Sequence, residues 1–191
     1  HATFIFKPRL VQGHDKEWTL KEAVYTMERA IACSAKLHRQ KQNKEKENGR
    51  QQQEEQQEQQ QQQQHTFPTI NAVVDCSGFS AWKHAPPMDI GKQFMLALRN
   101  HYAGQVNKIF ILDAPKSFLW LWNMVQPFIG SSTKSKIMFV NGKAQKTKIL
   151  GEYYSVEQAS SWMLPGGKQS DEVDIHQYLH ETSFDQVHNE E

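Results

Sequence analysis

Asp75, Cys76 and Ser77 stand together in the run VVDCSGFS, and a second carboxylate, Asp113, closes the run KIFILD. A thiol or hydroxyl beside a carboxylate is raw material for nucleophilic catalysis, and two carboxylates at strand ends could work as an acid–base pair. The spacing completes neither device. A nucleophile elbow needs a glycine on both sides of the nucleophile; here the second glycine is absent and no base is placed beside Cys76 or Ser77. The pattern favours Cys76 as a small residue at a crowded strand-to-loop turn, and Asp75 and Asp113 as caps of the adjoining loops. No G-x-G-x-x-G follows a strand and no G-x-x-x-x-G-K-[ST] is present, so nucleotide chemistry lacks its usual handle. The nine histidines are scattered and include no H-E-x-x-H, which suggests no metal site. No catalytic residue is assigned, and no cofactor is expected other than a bound ligand.

The elements that would position these residues alternate. TFIFKPRLV reads as a short opening strand whose proline suits an edge or a strand end. Thr19 and Glu22 are spaced as a capping box, and Leu20, Ala23, Val24, Met27 and Ile31 recur at helical spacing, which predicts a helix over 20–38. Ile70 to Val74 reads as a buried strand. A helix follows from Asp89 to near Gly104, with Ile90, Phe94, Ala97, Leu98 and His101 on one side. Lys108 to Asp113 gives the next strand, stopped by Pro115. An aromatic helix, the strand KIMFVN and a last helix near SVEQASSWML complete the order. This alternation predicts an α/β domain with a largely parallel sheet. The uninterrupted apolar strands fit burial on both faces.

A length of 191 residues favours one domain. Lys plus Arg (22) nearly balances Asp plus Glu (21), so no sequence-wide cationic field points to nucleic acid. Two distant cysteines, Cys33 and Cys76, have no redox or ligand spacing, as in many reduced cytosolic proteins. His1 followed at once by a strand-like run suggests a chain cut from something longer. Between about 40 and 66 the sequence is Gln-, Glu- and Lys-rich, with nothing to bury against the entropy of ordering; it reads as a disordered insertion or a solvated helix extension. After Gly167 the chain is polar and patternless, so 168–191 reads as a tail.

What remains distinctive is apolar. FLWLWNMVQPFI, from Phe118 to Ile129, is too short and too interrupted to cross a bilayer, which takes roughly 20 apolar residues. A helix turns by about 100° per residue, so these side chains cannot all face one sheet. Some of this surface must meet a partner, a membrane or an apolar ligand.

VVDCSGFS, NHYAGQVNKIFILDAP, SFLWLWNMVQPFI, SSTKSKIMFV and LPGG, in that order, resemble the CRAL-TRIO lipid-binding domain over about Thr3 to Gly167. The resemblance implies a mixed, mostly parallel sheet that floors an apolar pocket walled by helices, and a gating helix that opens at membranes, placed here from about Trp122 to Thr133. It implies a non-enzymatic protein that binds and transfers or presents a hydrophobic ligand, a phospholipid in particular, from the cytoplasm as a peripheral membrane protein. A protein partner using the same fold without lipid exchange is the alternative. Pocket and gate fall to Phe118, Leu121, Trp122, Val125, Phe128 and Ile129, and headgroup contact to Thr133 and Lys136. Phosphoinositide-binding members read Y-P-E-R where this chain reads YAGQ from Tyr102 to Gln105, so that acidic–basic pair is not carried over.

Overall fold

The computed structural model describes residues 2–10, 16–49, 69–85, 87–102 and 104–170. Four strands form its frame: β1 (Ala2–Phe6), β2 (Ile70–Asp75), β3 (Val106–Leu112) and β4 (Ile137–Val140). They lie in the order β1-β2-β3-β4, and every neighbouring pair is parallel. The α/β class is as the alternation predicts, although the described sheet is wholly parallel rather than mixed. β1 is an edge strand, and Pro8 follows it in a 3₁₀ turn, Pro8–Leu10, where no ladder hydrogen bond is lost.

Helices α1 (Lys16–Gly49), α2 (Ala81–His84), α3 (Met88–Ala97) and α4 (Lys116–Val125) lie within the three crossovers. A π turn, Leu98–Tyr102, extends α3, and a 3₁₀ turn, Gln126–Phe128, extends α4 toward a short α5 (Ser131–Lys134). Crossovers of one hand between strands in sequential order must all cover the same face. The packing agrees: Met27, Ala30 and Phe94 meet Phe4, Ile70 and Ile109 on that face, and Phe118, Leu121 and Trp122 meet Ile111, Ile137 and Phe139 beside them.

The opposite face is closed by the segment after β4. A helical turn α6 (Gly142–Gln145) runs into a π turn, Lys146–Leu150. The chain then folds back through Tyr153, Tyr154, Ala159, Met163 and Leu164 onto Val73, Phe110, Leu112 and Val140. Phe110, Leu112, Val73, Val140 and Leu150 are fully buried here.

Three elements differ from the sequence reading. The helix expected near SVEQASSWML is a series of turns, in which Ala159, Met163 and Leu164 are separate anchors into the core rather than one helical stripe. The helix instead lies over 142–150, where only Ile149 and Leu150 are large and apolar. α1 begins three residues before Thr19 and runs eleven beyond His38, so its ends differ from the expected 20–38 while residues 40–49 follow the helix-extension reading; 50–66 lie outside the described residues. Ser34 Oγ donates to the Thr69 carbonyl at 2.7 Å, so the chain leaves and rejoins the domain at one point. Of the expected tail, Lys168 and Gln169 are tied back, their amides donating to Val156 and Ala159 carbonyls; 171–191 lie outside the description. Gly167 has no room for a side chain, since a Cβ there would sit 2.4 Å from the Ala159 carbonyl oxygen.

Candidate functional site

The C-terminal ends of the strands, where an α/β sheet commonly binds ligands, hold the residues with catalytic character. Each carboxylate is already engaged. Arg9 Nη1 donates to Asp75 Oδ2, to the Ser77 carbonyl and to Ser77 Oγ, each at 2.8 Å. The Ser77 hydroxyl and amide both donate to Asp75 Oδ1. Burial pushes the Asp75 carboxyl up, but the hydrogen bonds from Ser77 and the Arg9 guanidinium outweigh it and hold it below the usual carboxylate range. Asp113, held at φ 49°, caps the neighbouring strand end instead: its Oδ1 accepts from the Gly142 amide at 2.9 Å and its Oδ2 pairs with Lys146 Nζ at 2.5 Å. Asp75 thus caps its own adjoining loop as expected, whereas Asp113 caps the segment after β4 rather than the loop that follows it. Between them the Cys76 thiol is buried, and desolvation with the two nearby carboxylates pushes it up to about 12, so it is a thiol at neutral pH.

The apolar site is built elsewhere, on the helix FLWLWNMV. Pro115 sets the start of α4, with its carbonyl accepting from the Phe118 and Leu119 amides. Phe118, Leu121 and Trp122 share one face at i, i+3 and i+4 and turn toward the sheet. The Phe118 ring meets Phe79 edge-on at 5.6 Å, and Trp122 meets Phe139 edge-on at 5.4 Å. Val125, Phe128 and Ile129 continue half-buried. No α4 residue is buried, yet its inward side chains rest on a sheet face made of Ile109, Ile111, Ile137 and Phe139. Of the six residues assigned to pocket and gate, Phe118, Leu121 and Trp122 rest on the sheet, while Val125, Phe128 and Ile129 are half-buried beyond them.

The outer side carries Leu119, Trp120 and Met124, exposed by 41%, 56% and 40%. Trp120 and Trp122 point to different sides, because two positions along a helix is about 200° of turn. The structure also adds a residue that no pattern had singled out. Trp82, in the short α2, is 90% exposed and stacks on Trp120 with ring centroids 6.3 Å apart and planes inclined by 24°. Its only sequence signal is a tryptophan among Ser80, Lys83 and His84, in a segment too short to show a period.

The turn after α4 is held by α3. The Lys92 ammonium sits 5.2 Å from the centre of the Phe128 ring, and the stem of Arg99 lies against Gly130, 3.6 Å from where a Cβ would be. Further along, Thr133 is buried in α5. Lys136 is half-buried, and its Nζ donates to the Val106 carbonyl at 2.5 Å. This contact joins the turn TKSK to the end of the connection YAGQV. Within that connection Tyr102 is buried, its hydroxyl donating to Glu28 Oε1 at 2.5 Å, and burial with this partner pushes its acidity to about 12. Gln105 Oε1 is buried and has no hydrogen-bond partner among the described residues. Among those residues there is also no group of three or more His, Cys, Asp or Glu side chains arranged for a metal ion, and no helix long and apolar enough to cross a membrane.

A parallel sheet with its described crossover helices on one face, one of them apolar inside and out, defines an α/β module with an apolar, helix-covered side. The CRAL/TRIO domain model matches residues 2–161, and the chain belongs to that family of lipid-binding and transfer domains. Among solved structures, the chain is similar to the crystal structure of Sfh5 at 18% identity and a TM-score of 0.42, covering 57% of this chain and 36% of that one. The chain thus spans little more than a third of the length of that structure.

Proposed function

We propose that this chain holds a phospholipid or similar hydrophobic molecule between the helix-covered face of its sheet and α4, and exchanges it with membranes through the segment from Trp122 to Thr133. The observation that carries this reading is the half-buried inner side of α4. Phe118, Leu121 and Trp122 stand over an apolar sheet face without any of them being sealed, so apolar surface is covered but not locked into a rigid core. An acyl chain gains about 0.8 kcal/mol for each CH₂ moved out of water, so a lining of this kind offsets most of what extraction from a bilayer costs.

The turn Gln126–Phe128 with Gly130 is the segment that would move. It is one proline, one glycine and a pair of side chains from α3 away from the regular helix, and hinges of lids are built from such short non-helical positions. At the far end, the joined turns around Lys136 and Gln105 offer an ammonium and a buried unpaired acceptor to a polar headgroup. Cys33 and Cys76 are not joined in a disulfide, which suits work in the cytoplasm at membrane surfaces.

Extraction of the purified protein followed by mass spectrometry should recover a lipid, and labelled phospholipid in vesicles should transfer to the protein. Absence of both would leave the protein-partner reading in possession of the fold.

A further inference from the structure

We infer that the stacked Trp82–Trp120 pair is an interfacial anchor that seats this domain on bilayers containing anionic phospholipid. The inference deepens the lipid-exchange reading and rests on it for its purpose, by naming the surface that first meets the membrane. The anchor lies outside the segment proposed to move.

Two tryptophans stacked with most of their outer surface in water are costly for a soluble domain, and here neither is tucked away: exposure is 90% for Trp82 and 56% for Trp120. The stack fixes their geometry without burying them. Indole has an apolar body and one N–H donor, the combination that favours the headgroup level of a bilayer. Met124 continues the stripe one turn beyond Trp120, and Lys116 begins it one turn before, since positions four apart share a helix face. Lys83 follows Trp82 directly and is exposed.

Charge decides the kind of surface. Lys83 and Lys116 adjoin the pair, and from Ala114 to Lys134, on the helix-covered side, the sequence has two lysines and no aspartate or glutamate, although the whole chain is nearly balanced at 22 basic against 21 acidic residues. Between Asp75 and Asp89 there is again no carboxylate. Asp75 and Asp113, which precede the two segments that carry the patch, are each held by a cation, Arg9 and Lys146. The tryptophan pair therefore sits on a stretch cleared of negative charge. Lysines near an anionic leaflet are drawn to it over a Debye length of about 10 Å, whereas a protein groove would have to supply carboxylates at matching points.

The test is co-sedimentation of the chain with vesicles of phosphatidylcholine alone and of phosphatidylcholine mixed with phosphatidylserine, at low and high salt. The wild type should bind the mixed vesicles at least about tenfold more tightly, a difference of about 1.4 kcal/mol, and lose that advantage in high salt. Trp82→Ala/Trp120→Ala should lower binding to mixed vesicles by about tenfold or more while its circular dichroism is unchanged. Binding of the double variant equal to wild type, or equal binding to both vesicle types, overturns the proposal. So does concentration-dependent dimerisation that the double variant abolishes, which would assign the pair to a second copy of the chain. Lipid loading from detergent-dispersed phospholipid separates the two readings. Loading retained with vesicle binding lost by the double variant supports the anchor; vesicle binding intact with no loading defeats the lipid-exchange reading alone.

Discussion

The two faces of the sheet are covered in different ways. Toward the C-terminal segment, Val73, Phe110, Leu112, Val140 and Leu150 are sealed, with Ala159, Met163 and Leu164 pressed onto them. Toward the helices, Met27, Ala30, Ile70, Tyr102 and Val106 are sealed under α1 and α3, whereas beneath α4 Cys76, Phe79 and Ile111 are the buried ones among the described residues and the side chains around them remain half-exposed. One face thus has the dense packing of a protein core, where the loss of even a methylene is felt. The other is closed in the same way under α1 and α3, but beneath α4 it has apolar contact without closure. The α4 side is therefore the less stable part of the helix-covered face, and the one expected to part first.

Substitutions that remove one side chain from each face measure this contrast most directly. Phe110→Ala should cost about 3–5 kcal/mol in urea unfolding, the range for a sealed aromatic, and leave little folded protein for any binding assay. Leu121→Ala should cost only about 1–2 kcal/mol, since its burial is partial, but should change phospholipid uptake. Equal destabilisation by the two would remove the distinction between the faces.

The Arg9–Asp75–Ser77 cluster ties β1 to β2 at the strand ends and should show its effect through pH. The folded Asp75 carboxyl lies below its ordinary value of 3.8, so the folded state binds that proton less readily than the unfolded state. Its contribution is complete above that value and is lost as pH falls through the depressed one. Asp75→Asn should cost about 1–3 kcal/mol near neutrality, the penalty for breaking a buried charge-assisted network, and should flatten the acid limb of a stability profile. An acid limb of unchanged slope would assign the pH dependence elsewhere.

Smaller effects refine the looser face. Lys92→Ala removes the cation from the Phe128 ring, which at an exposed site should cost about 0.5 kcal/mol, yet should speed lipid exchange by releasing the 126–130 turn. A rate equal to wild type would show that this contact does not restrain the turn. Deleting residues 41–66 should alter urea stability least of all, by under about 0.5 kcal/mol, because Ser34 and Thr69 already bring the two sides together.

The strands were readable from sequence because β2, β3 and β4 are buried on both faces and therefore appear as unbroken apolar runs. The direction of each side of α4 was not, since a helix apolar all round has no polar side to mark which way it turns. Its i, i+3, i+4 set Phe118, Leu121 and Trp122 becomes the inner side only once Ile137 and Phe139 are beneath it. SVEQASSWML misled for a related reason: Ala159, Met163 and Leu164 have near-helical spacing, but the same burial is reached by a chain of turns. The carboxylates Asp75 and Asp113 could be assigned as caps from sequence, whereas their cations, Arg9 and Lys146, are remote along the chain and only the fold brings them there.

The sequential strand order has a further consequence for synthesis. Each crossover helix is made before the strand that comes after it, so the helix-covered face acquires its cover as the sheet grows. The face of Val73, Phe110 and Leu112 must wait until Leu164 has left the ribosome. A nascent chain ending near Asn141 would present that apolar sheet surface to its surroundings, a form prone to aggregation and attractive to chaperones. The short segment from α6 to Leu164 therefore decides whether all that precedes it stays soluble.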